Sequence, residues 1–164
     1  RIESGRLQIS MEPVVLHDVV ESCLSLILPS AQARGIKVID KIGYTNDQVL
    51  ADFFRLKQVL LNLLSNAVKY NRDQGTITIS CVIRDGGCLR ICIQDSGEGI
   101  SAEDQQNLFV PFERLNATDN VEGAGIGLVI TRHLVEMMGG TIGMESQPGE
   151  GSTFWIELAV SAET

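Results

Sequence analysis

The segment between Arg55 and Tyr70 reads RLKQVLLNLLSNAVKY. When it is drawn as a helix, its bulky apolar side chains fall on one side, namely Leu56, Leu60, Leu63, Leu64 and Ala67. The other side carries the polar residues that lie within roughly 40° of Asn62, which are Gln58, Asn66 and Lys69. Asp52 precedes the segment, where a carboxylate can accept hydrogen bonds from the first free N–H groups. The pattern predicts a long helix, capped by Asp52, that buries its leucine face.

The polar stripe of this helix has two interpretations. Most such stripes are ordinary solvated faces, but those faces favour Glu, Lys and Gln over Asn, which is a mediocre helix former. Amide oxygens one turn apart, at Asn62 and Asn66, can help to hold Mg²⁺, a hard cation that takes oxygen ligands. The stripe is therefore a candidate metal site.

The residues before the long helix predict another helix and two short strands. Apolar residues recur at helical spacing from Val14 to Ala33, and Gly35 follows as a stop. The segments 36–42 and 48–51 are typical of short strands.

The residues after the long helix predict two hairpins with helices between them. Polar and apolar residues alternate over 76–83 and over 89–93, on either side of an Asp-Gly-Gly turn at 85–87. The later elements are a short helix from Ser101, a helix from Gly127 to Met138 that closes at Gly139 and Gly140, and strands at 141–145 and 152–158. Local strand pairing beside covering helices indicates one α+β domain, a two-layer sandwich.

Composition narrows the function classes. The net charge of −8 opposes nucleic acid, which needs clustered Lys and Arg, so no nucleic-acid partner is expected. The four cysteines form no C-x-x-C pair, and Cys81 shares strand parity with Ile77, Ile79 and Ile83, which predicts a small buried residue in a reducing compartment rather than a zinc ligand. The sequence has no leader and no apolar run of the roughly 18 residues that a membrane span needs. We expect a cytoplasmic domain, and membrane attachment of a longer parent protein stays open.

Asp95 ends a predicted strand and shares the parity of Leu89, Ile91 and Ile93, so its carboxylate points into the core. Burial is costly unless the carboxylate is hydrogen-bonded, and the amino group of adenine is a suitable donor. The alternative is an Asp that caps the turn at Ser96 and Gly97. Both interpretations fit these residues.

A glycine cluster, GAGIGL at 123–128, stands just ahead of the predicted helix that ends at Met138. Free N–H groups at a helix N-terminus favour phosphate. The cluster matches neither a P-loop nor a dinucleotide fingerprint. A polar, linker-like segment from Asn116 to Gly125 precedes the helix, which is what a closing lid requires.

The order of these signals resembles the motif boxes of sensor histidine kinases. Residues 55–70 are similar to the N box, and DSGEGI at 95–100 resembles the first glycine box. LFVPFER at 108–114 resembles the phenylalanine box, residues 123–128 the second glycine box, and GEGSTF at 149–154 the closing glycine motif. Together the boxes cover nearly the whole chain.

The resemblance implies a Bergerat fold: a mixed five-stranded β-sheet covered on one face by three helices, with a flexible ATP lid. It implies ATP and Mg²⁺ as cofactors, with Asn66, assisted by Asn62, on Mg²⁺ and Lys69 on phosphate. Around adenine it implies Tyr70, Asp95, Gly97, Gly99, Ile100 and Thr153. It assigns Phe109 and Phe112 to the lid, Arg114 to the γ-phosphate, and Gly123, Gly125, Ile126, Gly127 and Leu128 to the approach to the phosphates. Asn62, Lys69 and Arg114 are the catalytic candidates.

The resemblance also implies a function and partners. Residues 1–12 resemble the tail of a dimerisation helix and a linker, 13–160 the catalytic domain and 161–164 a C-terminal tail. His17 and His133 resemble positions within the catalytic domain, so we expect the phosphorylated histidine on the dimerisation domain of the same parent protein, outside this sequence. The phosphoryl group would then pass to the receiver domain of a response regulator. We expect a monomer here, a homodimeric parent, and no autophosphorylation by this chain alone.

Two other functions compete with the kinase. ATPases of the same superfamily use an acidic general base on the helix that carries the Mg²⁺ amide, and the stretch from Gln58 to Asn62 has no carboxylate. A nucleotide-sensing module without phosphoryl transfer would tolerate the loss of Asn66 or Asp95, and both are present. The sequence therefore favours the kinase.

Overall fold

The computed structural model describes residues 2–3, 6–84, 86–105 and 122–161. Its strands are β1 (Ile2–Glu3), β2 (Arg6–Leu7), β3 (Glu12–Val15), β4 (Lys37–Asp40), β5 (Gln48–Ala51), β6 (Thr76–Arg84), β7 (Cys88–Asp95), β8 (Thr141–Gln147) and β9 (Gly151–Ala159). Its helices are α1 (Leu16–Ala33), α2 (Phe53–Lys69), α3 (Ala102–Gln105) and α4 (Glu122–Met137).

The main sheet has five strands in the order β4-β6-β7-β9-β8. Strands β4 and β6 are parallel, whereas the other neighbours are antiparallel, so the sheet is mixed. Leu89, Ile91, Ile93 and Asp95 are buried along β7, and the residues between them are less buried or exposed. Helices α1, α2 and α4 pack on the buried side, which confirms the predicted α+β sandwich.

Helix α2 is the centre of the helical layer. All five apolar residues predicted for its buried face are at most 4% exposed. The Asp52 side chain caps it by accepting hydrogen bonds from the backbone nitrogens of Phe54 and Arg55, at 3.0 and 3.1 Å. At the other end, the Arg34 guanidinium donates to the carbonyl oxygens of Val68, Lys69 and Asn71. These contacts fix both ends of the helix that carries the polar stripe.

The N-terminal part of the chain differs from prediction. Helix α1 begins at Leu16, and Glu12–Val15 form strand β3, which pairs with β5 outside the main sheet. The reason is the distant partner β5, which pairs with all four residues of β3, and the β-branched Val14 and Val15 are compatible with extended backbone. Residues 2–3 and 6–7 pair as short antiparallel strands, so they are extended rather than helical.

Two further expectations need correction. The glycine cluster does not stand ahead of a helix, because α4 begins at Glu122 and its first turns contain Gly123, Gly125 and Gly127. Glycine weakens a helix by about 1 kcal/mol relative to Ala without preventing it. Cys81 is only half-buried and Ile83 is 57% exposed, because β4 pairs with β6 only from Thr76 to Ile79 and the rest of β6 is an edge of the sheet. Among the helices of the described ranges, none has the length and apolarity needed to cross a membrane.

Candidate functional site

Asp95 is the centre of the candidate site. Its side chain ends β7 at 9% exposure, and Oδ1 accepts hydrogen bonds from the backbone nitrogens of Gly97 at 2.8 Å and Ser152 at 3.3 Å. Burial raises the pKa of this carboxyl, and the two N–H groups lower it in part. The bond to Gly97 is the predicted turn cap, so the capping and the buried-carboxylate interpretations hold together. Among the described residues both bonds end on Oδ1, which leaves Oδ2 as an acceptor for a ligand donor.

Two glycines bring the backbone close to Asp95. A Cβ on Gly97 would collide with the Tyr70 carbonyl oxygen and lie 3.1 Å from Asp95 Oδ1. Gly99 has a φ of +81°, and a Cβ there would collide with the Gln147 carbonyl. Any side chain at either position would displace the loop, so both are required for this close approach.

Residues 69–76 brace the loop from the other side. Tyr70 has a buried hydroxyl without a hydrogen-bond partner among the described residues, and the Lys69 Nζ lies 5.4 Å from the centre of its ring. Asn71 is 7% exposed, and its Oδ1 accepts hydrogen bonds from Arg72 N at 2.8 Å and Ser96 Oγ at 3.1 Å. The Arg72 guanidinium donates to the Gly97 carbonyl at 3.0 Å. A buried hydroxyl left unpaired among the described residues can take a polar ligand such as adenine as its partner.

The prediction for Thr153 is wrong. Thr153 pairs with Gln94 and Glu145, which are exposed, so its side chain lies on the sheet face away from Asp95. The residue opposite Asp95 is Ser152. The sequence already indicates this orientation, because Ser152 alternates with the apolar residues Phe154, Ile156 and Leu158 and therefore shares their buried face. The match to the closing glycine motif does not take this alternation into account.

A group of hydroxyls that sequence reasoning missed lies next to Ser152. Ser146 Oγ is 2.9 Å from Ser152 Oγ, accepts a hydrogen bond from Ile100 N at 2.7 Å and donates to the Gly151 carbonyl at 3.0 Å. Gln105 Nε2 donates to the carbonyls of Ile100 and Ser146 at 2.7 and 3.2 Å. The backbone of Ile100 is thereby held beside the loop that follows Asp95.

The polar stripe of α2 faces two environments. Gln58 and Lys69 are exposed, whereas Asn62 and Asn66 are half-buried. Asn62 Nδ2 donates to Thr131 Oγ1 on α4 at 3.1 Å, which turns the amide oxygen away from that contact. Two half-buried amides offer the oxygen ligands that Mg²⁺ takes. The donor set therefore fits the metal expected from the sequence.

Helix α4 brings the glycine cluster toward α2. Leu128 is buried in the core, and Thr131, one turn beyond Gly127, contacts Asn62. Gly123, Gly125, Ile126 and Gly127 lie in the first turns of α4, and the first turn of a helix presents N–H groups that can bind an anion. The expected lid and γ-phosphate residues, Phe109, Phe112 and Arg114, lie outside the described residues.

Known proteins share this architecture. The family model for histidine kinase-, DNA gyrase B-, and HSP90-like ATPases matches residues 51–162. The sensor histidine kinase GacS of Pseudomonas protegens is 39% identical over 165 residues, which are 96% of this chain and 18% of that protein. The adaptive-response sensory kinase SasA of Prochlorococcus marinus is 43% identical over 129 residues, 78% of this chain and 34% of that protein. The chain thus spans about a fifth to a third of these relatives' length.

Solved structures agree. Full-length ShkA in complex with AMPPNP superposes with a TM-score of 0.82 and 31% identity, over 96% of this chain and 33% of that one. The catalytic domain of the histidine kinase ThkA gives a TM-score of 0.79 and 27% identity, over 92% of this chain and 95% of that one. The chain therefore belongs to the histidine kinase-, DNA gyrase B- and HSP90-like ATPase family, in which it represents the ATP-binding catalytic domain of sensor histidine kinases.

Proposed function

We propose that this domain binds ATP with Mg²⁺ and delivers the γ-phosphoryl group to a histidine on the dimerisation domain of the same parent protein. The observation that carries the proposal is the buried Asp95 carboxylate, which keeps one oxygen for a ligand between two obligatory glycines. The relatives GacS and SasA are by name a sensor histidine kinase and a sensory kinase, which supports the same chemistry.

Asp95 recognises the base. Its Oδ2 accepts a hydrogen bond from the exocyclic amino group of adenine, since the other oxygen is used by Gly97 and Ser152. Gly97 and Gly99 admit the flat ring, Ile100 lines it, and the buried Tyr70 hydroxyl finds its partner on the nucleotide. A ligand without the amino group would leave the carboxylate unpaired, which is costly in a buried site.

The amides of α2 hold the metal and the phosphates. Asn66 and Asn62 contribute oxygen ligands to Mg²⁺, and Lys69 neutralises phosphate charge. Held by these amides, Mg²⁺ would supply positive charge that neutralises the phosphates and the charge developing on the transferred group. Gly123, Gly125, Ile126, Gly127 and Leu128 approach the phosphates from α4, Phe109 and Phe112 anchor the lid, and Arg114 acts at the γ-phosphate.

Phosphoryl transfer is favoured over hydrolysis because α2 lacks a general base. Helix Phe53–Lys69 contains no Asp or Glu, so nothing on it can take a proton from an attacking water. In the kinase reaction a histidine nitrogen forms the new bond to phosphorus, and ADP leaves with the electrons of the bond to the γ-phosphate. The histidine belongs to the partner domain.

The wider organisation follows from the same proposal. Residues 1–12 end the dimerisation region, 13–160 form the catalytic domain and 161–164 are its tail; the pairing of Glu12 with Ala51 extends the folded unit by one residue. The phosphoryl group passes on to a response regulator; the histidine kinase ThkA has been solved in complex with the response regulator TrrA. The chain itself is monomeric, its parent is a cytoplasmically facing homodimer, and nucleic acid is not a partner.

Transfer of a labelled γ-phosphoryl group tests the proposed function. The chain is incubated with ATP labelled at the γ-phosphate, alone and with the dimerisation domain of its parent protein as a separate chain. We expect negligible phosphate release and no label on the chain alone, but acid-labile label on the added domain. Rapid phosphate release would identify an ATPase, and binding without transfer would identify a nucleotide sensor.

A further inference from the structure

Ser146 is the residue through which β8 reaches the candidate site. It lies opposite Ser152 in the β8–β9 pair, and Ser152 lies opposite Asp95 in the β9–β7 pair. The three side chains therefore lie in a row across three strands, on the same face of the sheet. None of the sequence motifs includes Ser146.

The protons of the two serines can be assigned by counting. A hydroxyl donates one hydrogen bond and accepts two. Ser146 Oγ accepts from Ile100 N, and its own proton goes to the Gly151 carbonyl, which can only accept. All three contacts of Ser146 are satisfied together only when the 2.9 Å contact with Ser152 Oγ uses the proton of Ser152. All three positions on Ser146 are filled, and Ser152 is the donor between the serines.

This assignment determines whether the Ser152 hydroxyl can donate a hydrogen bond to a ligand or only accept one. Its only proton is directed at Ser146, so the remaining capacity of the Ser152 hydroxyl is acceptance. Asp95 Oδ2 is also an acceptor, and Ser152 N is bonded to the other oxygen of that carboxylate. Two acceptors on directly paired residues of β7 and β9 match an amino group, which carries two N–H bonds. They repel a carbonyl oxygen at the same position of a purine.

We propose that Ser146 is a positioning residue that holds the Ser152 hydroxyl as an acceptor and fixes Ile100, and thereby contributes to the selection of 6-amino over 6-oxo purine nucleotides. The proposal rests on the proposed nucleotide-binding function. Ser146 acts through Ser152 and Ile100, and it does not itself touch the nucleotide.

The experiment measures the dissociation constants of ATP and inosine triphosphate with Mg²⁺ for the whole chain and its variants. The two nucleotides differ at position 6 of the purine, which carries an amino group in ATP and an oxo group in inosine triphosphate. The dissociation constant of inosine triphosphate divided by that of ATP therefore measures the preference for the amino group. Ser146→Ala frees the Ser152 proton, and we expect the ratio to fall about fivefold or more, the usual worth of one hydrogen bond. Ser146→Thr retains the hydroxyl and restores the ratio. Ser80→Ala, on strand β6 of the same sheet, is the matched control and leaves it unchanged.

A double-variant cycle separates positioning from general damage. If Ser146 acts through Ser152, then adding Ser146→Ala to Ser152→Ala produces little further change in the ratio. Equal weakening of both nucleotides by Ser146→Ala would show a merely structural role and overturn the inference. If that variant does not fold, Ser152→Ala alone must lower the ratio, and an unchanged ratio overturns it as well. A wild-type chain that binds neither nucleotide overturns the proposed function itself, an outcome distinct from binding without a Ser146 effect.

Discussion

The Asp95 carboxylate and the Ser152 backbone N–H are joined by a hydrogen bond of 3.3 Å across strands β7 and β9. The same oxygen, Oδ1, accepts the N–H of Gly97 at 2.8 Å, so the protein orients the carboxylate from two sides. Orientation of this kind leaves Oδ2 fixed before a ligand arrives. Fixing an acceptor in advance removes part of the entropy cost of binding.

Replacing Asp95 by Asn tests the role of that oxygen. The variant can keep the bond from Gly97, but it then presents an NH₂ group where adenine offers its own. We expect adenine-nucleotide affinity to fall about tenfold or more, since hydrogen bonds to charged groups contribute on the order of 1.5–3 kcal/mol. Competition with a fluorescent adenine nucleotide measures it. Asp47→Asn, an exposed carboxylate outside the site, serves as the control, and equal affinities for the wild type and Asp95→Asn would refute the assignment.

The pH dependence of stability provides a second test of Asp95. Burial raises its pKa, against the lesser opposing effect of the N–H groups of Gly97 and Ser152. The folded protein holds this proton more tightly than the unfolded chain, so the resulting stability is fully present below the unfolded-state pKa. It is lost as the pH rises through the folded-state pKa. Urea unfolding of wild type and Asp95→Asn across this window should show the wild type losing stability relative to the variant as the pH rises. Parallel curves would contradict the burial effect.

Removing Mg²⁺ tests the amides of α2. We expect a chelator to weaken ATP binding to the wild type, because phosphate charge then faces the site without its metal. Asn66→Ala should show weaker binding that no longer responds to Mg²⁺, whereas Gln58→Ala, on the exposed part of the stripe, should respond as the wild type does. A titration of affinity against Mg²⁺ concentration measures this. An unchanged response in Asn66→Ala would assign the metal to other ligands.

The fourth prediction concerns the packing of Gly143 against Trp155 on the open face of the sheet, away from the nucleotide. A Cβ there would collide with the Trp155 ring, 2.5 Å from Cη2 and 2.7 Å from Cε2, and the Arg90 guanidinium packs over that ring at 3.9 Å. We expect Gly143→Ala to lower the free energy of unfolding by about 1–3 kcal/mol, as overpacking does. In a Trp155→Val background the same change should cost less, because the ring is gone. Additive effects in urea unfolding would show that the ring is not the cause.

The fifth prediction concerns Arg34, which caps the C-terminal end of α2 next to Lys69 and Tyr70. Its guanidinium donates to the carbonyls of Val68, Lys69 and Asn71, and Nε pairs with Asp73 at 2.8 Å. We expect Arg34→Ala to destabilise the fold by about 1–3 kcal/mol, since it leaves terminal carbonyls unpaired. Arg132→Ala removes only an exposed pair with Glu136 and should cost under about 1 kcal/mol. Equal losses in the two variants would argue against the capping role.

Elements that are set by interactions between residues close in the sequence were predicted correctly, and elements that depend on distant residues were not. The α2 helix and the β6–β7 hairpin were predicted because their periodicity and their caps are local, and the structure confirms Asp52 at the helix start. Strand β3 was missed because its partner β5 is more than thirty residues away and no local signal shows the pairing. The position of Asp95 followed from strand parity.

The error at the site arose because a residue was assigned from its place in a motif and not from the alternation of buried and exposed residues along its strand. Thr153 was chosen from a motif, although the alternation that correctly placed Asp95 also selects Ser152 in β9. Ser146 bonds to Ile100, Asn71 to Ser96 and Arg34 to Asn71, all far along the chain, so the residue types alone did not indicate these contacts. The helical placement of the glycine cluster depends on packing of α4 against α2, which outweighs the low helix propensity of glycine.

Calorimetric titration of the chain with a non-hydrolysable ATP analogue, with and without Mg²⁺, tests the central claim most directly. We expect one site that saturates with a dissociation constant on the order of micromolar to submillimolar, tighter with Mg²⁺ than without. Absence of binding under both conditions, at concentrations well above that range, would contradict the claim that this domain is built to hold ATP.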